Sequence, residues 1–309
     1  MNGFGYRTKK SFNERRDKML TPENTVIGFI GTGVMGKSMA SHIMGAGYHL
    51  IIYSRTKSKA EELLANGAEW THSPKEIAEK ANIIITMVGY PDDVKEVYLG
   101  ENGLIPNGKK NTYLIDMTTS TPSLAIEIEG EARKRGMYAL DAPVSGGDIG
   151  AKEARLSIMV GGDEAAFHVI EPIFKLLGTN IVYQGTAGSG QHTKMCNQIA
   201  IASNMIGVCE AVVYAEKAGL DPETVLKSIS SGAAGSWSLS NLAPRMINEN
   251  FDPGFYIKHF IKDMNIALQE AETMGMETPG LALAKTMYAK LAENGEENSG
   301  TQALYKFWS

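Results

Sequence analysis

The sequence predicts an α/β domain built on a mainly parallel sheet, followed by an all-α domain and joined to it by one long helix. Three observations carry this. From Val26 onward, short apolar runs alternate with amphipathic helical patterns, as a parallel sheet covered by helices requires. After Gly190 the strand signals stop and the pattern is helical to the C-terminus. The longest apolar stretch, residues 195–215, opens that helical half. A chain of 309 residues suits this division, at roughly 150 residues per domain.

Strands are predicted at 26–30, 50–53, 83–88, 113–117, 138–144 and 157–160. Between the first two, Met35, Met39, Ala40, Ile43 and Met44 mark one face of a helix that Gly45-Ala-Gly47 stops. Ser73-Pro74-Lys-Glu76 reads as a helix cap, a first-turn proline and a capping-box glutamate. Turns in the helical half fall at Gly219-Leu-Asp221-Pro222, Asp252-Pro253-Gly254 and Thr278-Pro279-Gly280. The domains are expected to meet between Gly185 and Gly190, giving units of 25–187 and 188–309. Residues 1–24 are expected to be a disordered basic extension. Residues 1–20 carry a net charge of +4, against −9 for the rest of the chain, with no apolar run of the kind a secretory signal needs.

Composition narrows the function. The net charge of −5 leaves no broad basic surface for nucleic acid or an anionic membrane. The apolar stretch contains Asn197, Gln198, Asn204 and Glu210, costly in a bilayer, so it reads as the buried helix of a soluble protein. Cys196 and Cys209 fall in that one helix about 20 Å apart, beyond disulfide reach. A reduced, cytoplasmic protein is expected.

Gly31-Thr32-Gly33-Val34-Met35-Gly36 lies between a strand and an amphipathic helix. That is where a dinucleotide pyrophosphate needs a tight turn, a close backbone approach and helix amides aimed at the anion. The N-terminal domain is therefore expected to be Rossmann-like. The second strand ends in Ser54-Arg55-Thr56, with no acidic residue to receive a ribose 2′-hydroxyl. Two hydroxyls and a guanidinium suit a phosphate dianion, which favours NADP over NAD. If Arg55 only stacks on adenine, both cofactors bind.

Two further clusters complete the pattern. Asp141-Ala-Pro-Val-Ser145-Gly146-Gly147 ends a predicted strand, at the sheet edge where α/β ligands bind. Ser-Gly-Gly can turn backbone N–H groups and a hydroxyl toward a carboxylate, although the same tripeptide also serves as a plain loop. Gly185-x-x-Gly188-x-Gly190-x-x-x-Lys194-x-x-Asn197 puts Lys194 and Asn197 on one face near the start of the long helix. Burial there would depress the lysine pKa into the range useful for proton transfer.

These motifs, together with Lys262-Asp263-Met-Asn-Ile-Ala-Leu268, closely resemble those of the β-hydroxyacid dehydrogenases over residues 25–309. That group contains 3-hydroxyisobutyrate dehydrogenase and the tartronate, glyoxylate and succinic semialdehyde reductases. The resemblance implies Lys194 as catalytic acid/base, Asn197 orienting the substrate, and Ser145, Gly146 and Gly147 binding a substrate carboxylate. It also implies Val88, Gly89, Thr119 and Lys262 against the cofactor, no metal, and a homodimer or homotetramer assembled through the helical domain. The expected substrate is a small 3-hydroxy or short ω-hydroxy acid, or its semialdehyde. Gly89, Asp148 and Ala154-Arg155 depart from the usual pattern, which leaves the substrate open. Ser236, Trp237 and Phe255 are candidate pocket walls. Imine reductases share the cofactor turn but typically lack a lysine at this helix position. A binding module without catalysis would need only the cofactor turn.

Overall fold

The computed structural model describes residues 20–308. Among them, nine strands form one sheet: β1 (Val26–Ile30), β2 (His49–Tyr53), β3 (Glu69–Trp70), β4 (Ile83–Thr86), β5 (Tyr113–Asp116), β6 (Tyr138–Asp141), β7 (Val144–Ser145), β8 (Leu156–Gly162) and β9 (Gly178–Gly185). The order β3-β2-β1-β4-β5-β6 is parallel throughout, whereas β8 runs antiparallel to β6 and β7 and pairs in parallel with β9 on its other edge. Every residue of β4 is buried, as expected of a strand covered on both faces. One apolar cluster centred on Phe29, Ile83 and Ile158 fills one face of the sheet, and another around Ile84, Leu114 and Tyr98 fills the other.

The strand predicted at 138–144 is interrupted. Leu140 faces Gly162 and Val144 faces Ile158, so β6 and β7 keep a single register along β8 with a break at Ala142-Pro143. Pro143 has no N–H to give the ladder, but its carbonyl still accepts from Met159 at 3.0 Å. β3 is a two-residue strand without an apolar run, and β9 is an edge strand whose Ile181-Val182-Tyr183 run is nowhere fully buried.

Residues 20–24 correct the expected extension. Leu20 packs against the sheet core, its carbonyl accepts from Tyr48 Oη at 2.9 Å, and the Thr21–Asn24 turn is closed by an Asn24 N–H to Thr21 carbonyl bond of 3.1 Å. The remainder of the basic segment lies outside the described residues.

Helix Ser189–Lys217, 29 residues long, runs from the sheet into the helical domain. Its first turns pack on β8 and β9; farther along it packs against helices Ile257–Thr273 and Pro279–Leu291 and the 3-10 segment Thr301–Phe307. Met195, Ala202, Met205, Val208, Cys209 and Val212 put its apolar side into the core of the helical domain. Length and composition would allow this helix to cross a membrane, but here it is the centre of a packed domain. Cys196 is exposed, Cys209 is buried, and neither is in a disulfide.

The start of the long helix is fixed by a side chain from the sheet. Asp141, at the end of β6, accepts from the Gly188 N–H at 2.8 Å and the Gln191 N–H at 2.9 Å. Hydrogen bonds to a charged group contribute about 1.5–3 kcal/mol each. Burial nevertheless raises the Asp141 carboxyl to about 6, against those N–H bonds, which hold it down. Gly190 must lack a side chain: a Cβ there would come within 2.5 Å of the carbonyl oxygens of Asp141 and Met159.

Candidate active site

The carboxyl ends of the parallel strands, the start of the long helix and helix Ile257–Thr273 enclose one cleft of about 1460 Å³. At one end is the β1 turn. Gly31 has φ +98, and a Cβ on it would lie 2.2 Å from the Met87 carbonyl oxygen; one on Gly36 would lie 1.9 Å from the Gly31 carbonyl oxygen. Helix Val34–Gly45 therefore begins hard against β1 and β4. No side chain caps it at Gly33, whereas Ser73, Thr121, Asp163, Asp221 and Ser236 all cap helices elsewhere. Its first amides are thus open to an anion. A Cβ on Gly33 would meet no atom within 4 Å, and the buried Thr32 hydroxyl has no protein partner. These features fit a dinucleotide pyrophosphate.

Ser54, Arg55 and Thr56 line the cleft beside this turn, as do Val88, Gly89 and Thr119. Arg55 is engaged by a residue the sequence reading did not single out. Its Nη1 lies 2.8 Å from Asp93 Oδ1 and its Nη2 3.4 Å from Oδ2. The Val88 N–H donates to Thr118 Oγ1 at 3.0 Å, and the Thr118 N–H to Asp116 Oδ1 at 3.0 Å. Asp116 also accepts from the Thr86 hydroxyl at 2.8 Å and is raised to about 6, chiefly by burial. Lys262 Nζ donates to the Thr119 carbonyl at 2.7 Å, tying the helical domain to this loop.

At the other end, Ser145, Gly146, Gly147, Lys194 and Asn197 share the cleft wall. Gly146 (φ +132) and Gly147 (φ +63) turn the chain from β7 into helix Gly147–Lys152, leaving that helix too without a side-chain cap. Lys194 is buried, and its ammonium donates to the Val144 carbonyl at 2.9 Å. Burial brings its pKa down to about 8; the Asp263 charge opposes that shift and Lys262 adds to it.

Around Lys194 runs a buried polar chain of which the sequence motifs showed only parts. The Asn197 amide donates to Gln198 Oε1 at 2.7 Å, and Gln198 Nε2 donates to Asp263 Oδ2 at 2.6 Å. Asp263 Oδ1 lies 3.0 Å from Lys262 Nζ. Gln191 holds the loop opposite: its amide donates to the Thr118 carbonyl at 2.8 Å and accepts from the Ser120 N–H at 3.0 Å. Gln191 and Gln198 recur every turn or so with Lys194 along one helix face, a spacing visible in the sequence once the helix is known to be buried. Of the expected pocket walls, Ser236 spends its hydroxyl capping helix Trp237–Asn241, Trp237 is exposed, and Phe255 packs on Phe260 with ring centroids 5.5 Å apart. All three border the cleft. Among the described residues, no three His, Cys, Asp or Glu side chains cluster closely enough to hold a metal ion.

Both halves of the chain resemble known proteins. Residues 26–185 match the family described as the NAD binding domain of 6-phosphogluconate dehydrogenase, and residues 188–308 match the NAD-binding domain of NADP-dependent 3-hydroxyisobutyrate dehydrogenase. The chain belongs to the β-hydroxyacid dehydrogenase family. Its relatives in the family include the oxidoreductase YkwC of Bacillus subtilis, 66% identical over 91% of this chain and 98% of that protein. The 2-hydroxy-3-oxopropionate reductase of Escherichia coli is 40% identical over 90% of this chain and 95% of the reductase. The structure of Mycobacterium tuberculosis 3-hydroxyisobutyrate dehydrogenase with L-serine superposes with a TM-score of 0.84 at 30% identity, covering 92% of this chain and 99% of that one. As a family member the protein is an NAD(P)-dependent hydroxyacid dehydrogenase.

Proposed function

We propose that this enzyme reduces a short semialdehyde bearing a carboxylate to the corresponding hydroxy acid with NADPH, with Lys194 as the proton donor. The observation that carries the reading is the placement of one buried lysine, its ammonium held by the Val144 carbonyl, in the same cleft wall as the Ser145-Gly146-Gly147 turn. The bound nicotinamide dinucleotide supplies hydride in reduction and accepts it in the reverse reaction. Gly31 to Gly36 hold the pyrophosphate on open helix amides, and Ser54, Arg55 and Thr56 receive the 2′-phosphate. Val88, Gly89, Thr119 and Lys262 border the rest of the dinucleotide. The amides and hydroxyl of Ser145, Gly146 and Gly147 receive the substrate carboxylate, which sets the carbonyl toward Lys194. As charge grows on the carbonyl oxygen, the Lys194 ammonium neutralises it and gives up a proton; neutral Lys194 takes that proton back from the alcohol. Asn197, through Gln198 and Asp263, keeps polar groups oriented around it.

The free, widely separated cysteines support a cytoplasmic location. Exposed Tyr214, Met274, Met276 and Leu283 support assembly of a homodimer or homotetramer through the helical domain. The deciding experiment is a spectrophotometric screen with NADPH and NADH against glyoxylate, succinic, methylmalonate and tartronate semialdehydes. Consumption of NADPH with at least one of them is expected. No consumption with any of them would refute the short-semialdehyde reading.

A further inference from the structure

Asp93 occupies a position that the cofactor reading does not explain. In the sheet, β2 and β4 flank β1 on opposite sides, so the turns that follow them flank the Gly31–Gly36 turn. Arg55 comes from the β2 side. Asp93 comes from the β4 side, in the first turn of helix Pro91–Leu99. Their ion pair therefore spans the dinucleotide end of the cleft, and both residues border it.

The two partners are unequal. The Asp93 side chain is 21% exposed and anchored, since Oδ2 also accepts the Tyr90 N–H at 3.1 Å; the Arg55 side chain is 75% exposed and has no second partner among the described residues. A guanidinium presents a planar fork that a carboxylate and a phosphate fill in the same way. Asp93 thus occupies Arg55 as a phosphate would, from a fixed site, in an exposed pair that is weak enough to exchange.

We propose that Asp93 sets the cofactor ratio by competing with the adenosine 2′-phosphate for the Arg55 guanidinium. NADPH must displace the carboxylate and then bear its charge nearby, whereas NADH leaves the pair closed. Asp93 consequently penalises only the phosphorylated cofactor and keeps NADH usable by an otherwise phosphate-seeking turn. This rests on the reading of Ser54-Arg55-Thr56 as the 2′-phosphate site.

The test is direct binding of NADPH and of NADH to the full-length protein without substrate, followed by cofactor fluorescence. Asp93→Asn removes the charge while its amide oxygen can still accept from the Tyr90 N–H; Asp93→Ser is the second neutral variant, and thermal unfolding checks that both fold. Both should tighten NADPH about 2- to 5-fold and change NADH by less, the range expected for one exposed charge pair. In the Arg55→Ala background the Asp93→Asn gain should shrink, because there is no guanidinium left to release. If Arg55→Ala leaves the NADPH:NADH ratio unchanged, the reading of the turn is wrong and the proposal falls with it. If Arg55→Ala lowers the ratio but neither Asp93 variant raises it, the turn stands and the competition by Asp93 is overturned. Weaker NADPH binding in the Asp93 variants would also overturn it, since Asp93 would then be presenting Arg55 to the phosphate.

Discussion

Lys194 is hydrogen-bonded through its ammonium to the carbonyl of Val144, 2.9 Å away, the residue immediately before Ser145. The proposed proton donor and the proposed carboxylate cradle are thereby held to one backbone segment, and both sit where β7 ends. An alkyl chain that was free in solvent would have to be ordered at each turnover; this one is ordered beforehand.

Replacing Lys194 should cost turnover far more than cofactor affinity. General acid–base catalysis contributes about 10²–10⁴-fold, so Lys194→Ala should lower kcat by at least that order while NADPH binding, followed by fluorescence, stays nearly the same. Lys194→Arg should restore little, because a guanidinium keeps its proton. An alanine variant within a few-fold of wild type would refute the role.

The pH dependence should differ in sign between the two directions. With Lys194 at about 8, reduction needs the charged form and should fall as pH rises through that value, whereas oxidation needs the neutral form and should rise. Asp263 favours the charged form, so Asp263→Asn should move the limb of kcat/KM for reduction to lower pH. A limb that stays in place in this variant would mean that Asp263 does not act on the lysine.

Arg55→Asp should shift the NADPH:NADH selectivity toward NADH, since a carboxylate repels a 2′-phosphate and can accept from a 2′-hydroxyl. Steady-state kinetics with each cofactor at saturating substrate measures this, and an unchanged ratio counts against the assignment.

Two glycines on the long helix should respond in opposite ways to alanine. Gly190→Ala drives a Cβ into the carbonyls of Asp141 and Met159, so it should lower Tm and kcat together. At Gly207, exposed in mid-helix, a Cβ would meet nothing within 4 Å, and Gly207→Ala should stabilise by about 0.4–1 kcal/mol. Calorimetry of the two variants checks both signs.

The sequence made the parallel strands legible because burial on both faces writes a run such as Ile83-Ile84-Ile85, and it made the cofactor turn legible because close packing leaves only glycine at Gly31 and Gly36. It hid β3, which has only two residues and no such run, and β9, whose Ile181-Val182-Tyr183 run lies among polar and glycine residues at the sheet edge. It also hid the roles of Gln191, Gln198 and Asp93. Each is an ordinary polar residue on a helix whose function depends on a partner 71, 65 or 38 positions away, a pairing that only the folded topology creates. Asp93 in particular looks like any first-turn helix carboxylate until the sheet order brings Arg55 to it.

The 29-residue span of helix Ser189–Lys217 also makes it a lever between the two domains. At 1.5 Å per residue it is a rod roughly 43 Å long, pinned at its first turn by Asp141 and carrying the helical domain along its length. A tilt of about 5° about that pin would sweep its far end through roughly 4 Å. Motion near the pin would stay small, so Lys194, one turn beyond Gln191, would hardly leave Val144, whereas helix Ile257–Thr273 would travel with the rod and draw Lys262 from the Thr119 carbonyl.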